Sequence, residues 1–129
     1  MRRSDLHADA LQRVPPAHIA WIDGLPLTHR EGGLFFCHAG VRPGVALEDQ
    51  AEDDLLWIRQ EFVQDTRDHG ALVVHGHTAI DAAQHYGNRV NLDSGAGYGR
   101  PLTAVAIEGE EVFVLGKAGR EPLIPDLSD

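Results

Sequence analysis

Three short, continuous apolar runs constrain this chain most. Leu34-Phe35-Phe36-Cys37, Ala71-Leu72-Val73-Val74 and Arg89-Val90-Asn91-Leu92 are each about one strand long, and each runs into a glycine-containing polar loop. A continuous rather than alternating apolar run predicts a strand buried on both faces of a sheet. Helical patterns flank these runs, so the chain reads as an α/β or mixed fold. In open α/β sheets, the loops at the carboxyl ends of the strands are where ligands bind.

Around this frame, residues 1–14 read as a polar amino-terminal helix with Leu6, Ala10, Leu11 and Val14 at helical spacing, ended by Pro15-Pro16. Pro16 can open a second helix over residues 17–25. Residues 52–64 read as one helix, with Leu55, Ile58 and Phe62 on its packed face and Glu52, Asp53 and Asp54 complementing the dipole in its first turn. Trp57 is read as core. Residues 102–107 and 112–115 predict an antiparallel pair, and residues 119–129, with Pro122 and Pro125, read as a tail.

A length of 129 residues predicts one domain. Twenty acidic against eleven basic residues give a net charge of −9, a poor match to nucleic acid or anionic membrane, so neither is expected as a partner. No apolar stretch approaches bilayer length, and no signal peptide or twin-arginine export signal is read at the start. Cys37 is the one cysteine, which excludes an intrachain disulfide and a cysteine-based zinc site. A cytoplasmic location is the expectation.

The histidines carry the chemistry. His38, His75 and His77 follow the first two buried runs. Imidazoles at the ends of neighbouring strands can converge on one metal ion, with Mn, Fe, Zn and Ni all suited. Gly40 and Gly76 would let backbone approach a ligand. Arg59 has two readings: a solvated partner of Glu52, Glu61 or Asp65, or a guanidinium fork for a phosphate. Asp93 can orient a metal-bound histidine or cap a turn, the turn cap being the better reading when it is taken alone. Cys37 reads as a small buried residue rather than a nucleophile.

Four segments occur in order: Phe35-Phe36-Cys37-His38-Ala39-Gly40-Val41-Arg42-Pro43-Gly44, Asp54-Leu55-Leu56-Trp57-Ile58-Arg59, Val73-Val74-His75-Gly76-His77-Thr78 and Asn88-Arg89-Val90-Asn91-Leu92-Asp93-Ser94-Gly95-Ala96. Together they resemble the second half of the calcineurin-like metallophosphoesterases, most closely the bacterial serine/threonine protein phosphatase branch. The resemblance spans roughly residues 15–110, and residues 15–118 are assigned to the carboxyl-terminal part of such a domain. It implies part of a β-sandwich flanked by helices, lacking the first half of the fold. It implies that His38 and His77 ligate the second ion of a two-metal centre, with Mn favoured over Fe or Zn, and that Arg59 holds the substrate phosphate. His75 matches no ligand. The family's amino-terminal motifs, Gly-Asp-x-His-Gly, Gly-Asp-x-x-Asp-Arg-Gly and Gly-Asn-His-Glu, have no counterpart upstream of His38. They supply the other ligands, the bridging aspartate, a second arginine and the general acid, so no catalytic residue is assigned in this chain. The implied function is metal-dependent hydrolysis of a phosphoprotein or small phosphoester, by an enzyme of which this chain is an incomplete portion, inactive alone. Alternatives are a symmetrical dinucleoside tetraphosphate hydrolase, or a catalytically silent fragment serving interaction. Self-association, or pairing with a missing amino-terminal half, is the further partner expectation.

Overall fold

A computed structural model describes residues 3–126, with side chains from residue 5 onward. Residues 1–2 of the expected amino-terminal helix and 127–129 of the expected tail lie outside the described residues. The fold is mixed α/β. Helices α1 (Arg3–Arg13) and α2 (Pro16–Asp23) lead into β1 (Thr28–Glu31) and β2 (Leu34–Cys37). Two short helices, α3 (Glu52–Trp57) and α4 (Gln60–Val63), precede β3 (Leu72–His75), β4 (Gln84–His85) and β5 (Arg89–Asn91). A meander of β6 (Val105–Glu108), β7 (Glu111–Gly116) and β8 (Gly119–Pro122) completes it.

The strands form two sheets. The larger has the order β1-β2-β3-β5-β4, and its central strands β2, β3 and β5 run parallel. These are the three expected strands; β2 and β3 are continuously apolar, whereas β5 buries the polar Arg89 and Asn91 on either side of Val90. Alternate residues face opposite layers. Phe35 and Val73 pack with Leu55, Ile58 and Phe62 of the helical layer. Leu34, Leu72 and Val90 pack with Val112 of the second sheet. The parallel core is therefore covered on both faces, which burying such strands requires.

The structure departs from the expected elements in three places. Residues 119–122 are not tail but a strand, β8, which pairs with β7 from Phe113↔Pro122 to Gly116↔Gly119. Pro122 is tolerated because it lies at the end of an edge strand. Strand β1, unanticipated, pairs antiparallel with β2 across Gly32-Gly33, a two-residue hairpin loop with Gly32 at φ +55°. The helix expected over 52–64 is interrupted at Ile58-Arg59, both residues leaving helical geometry. The cause is tertiary: the Leu55 carbonyl, which would accept from Arg59 in a continuous helix, accepts the Ala39 N–H at 2.8 Å instead. Helix α2 buries none of its residues, and Trp21 is 68% exposed. Among the described residues, no helix is long and apolar enough to cross a membrane.

Candidate metal and phosphate site

Parallel alignment of β2 and β3 brings their carboxyl ends together. His38 follows β2 and His77 lies two residues beyond β3, and their ring centroids are 5.0 Å apart. One peptide joins the two loops: the Gly76 N–H donates to the His38 carbonyl at 2.8 Å. The pair lines a cavity of about 360 Å³ together with Cys37, His75 and Asp93.

His77 is held unusually. It is the one non-glycine residue at positive φ among the described residues, at φ 71°. The Thr78 N–H donates to the Gly76 carbonyl at 2.8 Å, closing a three-residue γ-turn around it. A side chain in this region costs about 1–3 kcal/mol, a strain that clusters at functional positions. Its Nε2 is buried and has no hydrogen-bond partner. Burial lowers its pKa, and the Arg59 and His38 charges push in the same direction, keeping the ring neutral and its lone pair available. An orphaned imidazole nitrogen beside a second imidazole suits a divalent transition metal. Among the described residues no three His, Cys, Asp or Glu side chains converge at metal spacing. The pair fits as a part of a coordination sphere.

Arg59 is exposed, at the break between α3 and α4. None of the described acids pairs with it at ion-pair distance, Glu52, Glu61 and Asp65 included; Asp65 binds Arg67 instead. Trp57, expected in the core, is 67% exposed, with its ring edge-on to His77 at 5.8 Å. The same helix interruption that frees Arg59 leaves Trp57 against the histidine. Asp93 caps a turn, its Oδ1 accepting the Gly95 N–H at 3.1 Å, and it makes no hydrogen bond to either histidine. Gly40 does not clear space for a ligand: the Phe62 ring occupies the place a Cβ would take. Burial raises the Cys37 thiol to about 12, so it stays protonated and is no nucleophile.

Two devices position the loop after β2. Arg42 makes a forked pair with Asp54, at 2.7 and 3.3 Å. The Gln50 side chain accepts the Arg42 N–H at 2.7 Å and donates to the Arg42 and Val45 carbonyls. Sequence reasoning passed over these residues; their signal was only a polar loop between a buried strand and a helix. It also passed over the buried Arg89–His75 pair, because polar residues inside an apolar run look like interruptions. A larger cavity, about 760 Å³, opens at the amino ends of the strands, among Asp65, Asp68 and Glu110. Its acidic rim is unsuited to phosphate.

His75 gives a pH prediction. Burial pushes its imidazole down to about 4. Unfolded, the ring takes a proton near its ordinary value of about 6.5. Between these values the unfolded chain binds more protons, so stability falls as pH drops from 6.5 towards 4, by about 3 kcal/mol from this group. Lowered values at His69, His77 and His85 act in the same direction. Urea midpoints at pH 7.5, 5.5 and 4.5 check this; a flat profile would show that His75 is not buried neutral.

No family model and no curated protein matches the chain.

Proposed function

We propose that this chain contributes part of a metal-dependent phosphoester hydrolase, with His38 and His77 holding one divalent ion and Arg59 gripping the substrate phosphate. One observation carries the reading: His77, strained into a γ-turn and with an unpartnered buried Nε2, faces His38 at the carboxyl ends of adjacent parallel strands. The exposed Arg59, free of any acidic partner among the described residues, supports phosphate as the ligand, since its fork matches a phosphate's oxygens. A divalent ion bound here would act as a Lewis acid on a phosphoryl oxygen and make a water acidic enough to supply the nucleophile at neutral pH. His38 and His77 would fix the ion's place, and Arg59 would orient the phosphate and offset charge that grows on its oxygens in the transition state. Two packed sheets with helices on one face suit the sandwich of the calcineurin-like phosphoesterases. The exposed apolar side chains of α1 and α2, Leu6, Leu11, Trp21 and Ile22, suit a surface that a missing amino-terminal half would cover. A phosphoserine or phosphothreonine protein is the proposed substrate, with Mn²⁺ the proposed metal and the cytoplasm the proposed setting.

Two imidazoles make an incomplete sphere, so weak binding of Mn²⁺ or Zn²⁺ is expected from the full 129-residue chain. Titration calorimetry should show it lost in His38→Ala and in His77→Ala alike. Tight binding that survives both substitutions would remove the ligand assignment.

A further inference from the structure

Arg89 is a charged side chain only 5% exposed, and no carboxylate pairs with it among the described residues. A buried cation left without an anion is costly, so its other contacts need a reason. It reaches from β5 beneath α4, donating to the Val63 carbonyl at 3.2 Å and stacking on the Tyr86 ring at 3.8 Å. Its Nη1 lies 3.1 Å from His75 Nε2. Guanidinium only donates, so Nε2 must be the bare, accepting nitrogen. The other ring nitrogen, Nδ1, lies 3.1 Å from the Gly76 carbonyl, which only accepts, so Nδ1 must carry the proton. Both contacts are made at once by a single form of the ring, the neutral Nδ1–H tautomer.

That proton lands on a mechanically important atom. The Gly76 carbonyl is the acceptor that closes the γ-turn around His77, and the Gly76 N–H ties the turn to the His38 loop. We infer that Arg89 and His75 are positioning residues: Arg89 sets the tautomer of His75, and His75 clamps the Gly76 peptide so that His77 stays in its strained turn facing His38. The series runs from Arg89 through His75 and Gly76 to His77. Its functional consequence rests on the reading of His38 and His77 as metal ligands; the clamp itself does not. Strained backbone of this kind persists only where its surroundings hold it, which is the part the clamp plays.

Nitrogen-15 NMR of the imidazoles in the full chain, with amide exchange, tests the clamp. His75 should show a protonated Nδ1 and a bare Nε2 at pH 7. In Arg89→Met that restriction should disappear, and the Thr78 amide should exchange at least about tenfold faster, while the Val74 and Val90 amides of the sheet keep their protection. Arg89→Lys, which still donates, should retain part of the tautomer signature. His75→Asn, which keeps a donor near the Nδ1 position, should protect Thr78 better than His75→Leu. Zn²⁺ affinity, read by calorimetry, should fall about 10–100-fold in Arg89→Met, the usual range for lost support of a ligand. A native His75 protonated on Nε2 overturns the inference, and that measurement stands even where Arg89→Met does not fold. Unchanged Thr78 exchange in both Arg89→Met and His75→Leu overturns it too. A native chain that binds no Zn²⁺ yet shows the tautomer and the Thr78 effect upholds the clamp and removes the metal reading.

Discussion

Gly40→Ala is expected to remove a large share of the stability of this fold. The new methyl would overlap the Phe62 ring, lying 2.7 Å from both Cγ and Cε2 and nearer still to Cδ2. Gly40 also has φ +155°, which side chains rarely adopt. Phe62 cannot withdraw. It is 0% exposed, packed edge-on against His75 at 4.9 Å, in a core with Val41 and Val73. Overpacking typically costs 1–3 kcal/mol, and a rigid ring plus backbone strain place this substitution at or above the upper end, about 3–5 kcal/mol. Native domains hold only about 5–15 kcal/mol in total. Urea unfolding of the single variant, of Phe62→Leu and of the pair would measure it. The pair should be markedly more stable than the sum of the two singles implies, because a smaller side chain at 62 makes room for the methyl. A loss below about 1 kcal/mol in Gly40→Ala would mean that Phe62 does not press on this backbone.

That substitution shows what was and was not legible in the sequence. The glycine's presence after His38 was legible, but its reason was not: a close approach by ligand and one by a distant phenyl ring leave the same residue in the chain. Strands β2 and β3 were legible because burial on both faces leaves a continuous apolar run; β5 was legible only from Val90 and Leu92 and the turn after them, since Arg89 and Asn91 are polar residues buried within it. Strands β1 and β4 were not, because Thr28-His29-Arg30-Glu31 and Gln84-His85 are edge segments whose polar side chains carry no apolar pattern. Charge along an edge discourages pairing with other chains, and hides the strand from a hydrophobicity reading. Gly32-Gly33, a two-residue loop before an apolar run, was the available sign of a hairpin.

The helix break at Arg59 was illegible for another reason. The apolar spacing of Leu55, Ile58 and Phe62 does suit a continuous helix, and those residues do pack together. What ends the helix is the Ala39 amide, sixteen residues away in the chain, taking the Leu55 carbonyl. A tertiary hydrogen bond overrides a local pattern. The placing of His38 and His77 at neighbouring strand ends was legible, and their choice as candidate ligands came from the family resemblance; the γ-turn that strains His77 and the buried Arg89 behind it depend on contacts between segments that local spacing does not encode.

Residues 1–129 alone are expected to show negligible phosphatase activity with Mn²⁺ and an aryl phosphate, and fusion to a matching amino-terminal half should restore it by several orders of magnitude. Under the proposed reading, the absent half supplies the aspartate shared by both metals and the histidine that protonates the departing alkoxide. Loss of a general acid alone typically costs on the order of 10²–10⁴-fold. With only His38 and His77 on hand, two-metal occupancy is also out of reach, so the losses compound. In the restored enzyme Arg59→Ala should lower kcat/KM by about 10²–10³-fold, the range for removal of one donor to a transition-state oxygen. Arg59→Lys should recover only part, since an ammonium presents a point charge where the guanidinium presents a planar fork. The exposure of Arg59 makes this comparison clean: neither variant disturbs the core, so folding should be unchanged and the effect should read directly as transition-state stabilisation. Turnover of the chain alone, the joined protein and its two Arg59 variants, in one assay, decides between outcomes. Robust Mn²⁺-dependent turnover by the chain alone would overturn the division of the site between two halves. Equal turnover by native and Arg59→Ala joined proteins would free Arg59 of any part in holding phosphate, and leave Trp57 and the two histidines as the features to account for.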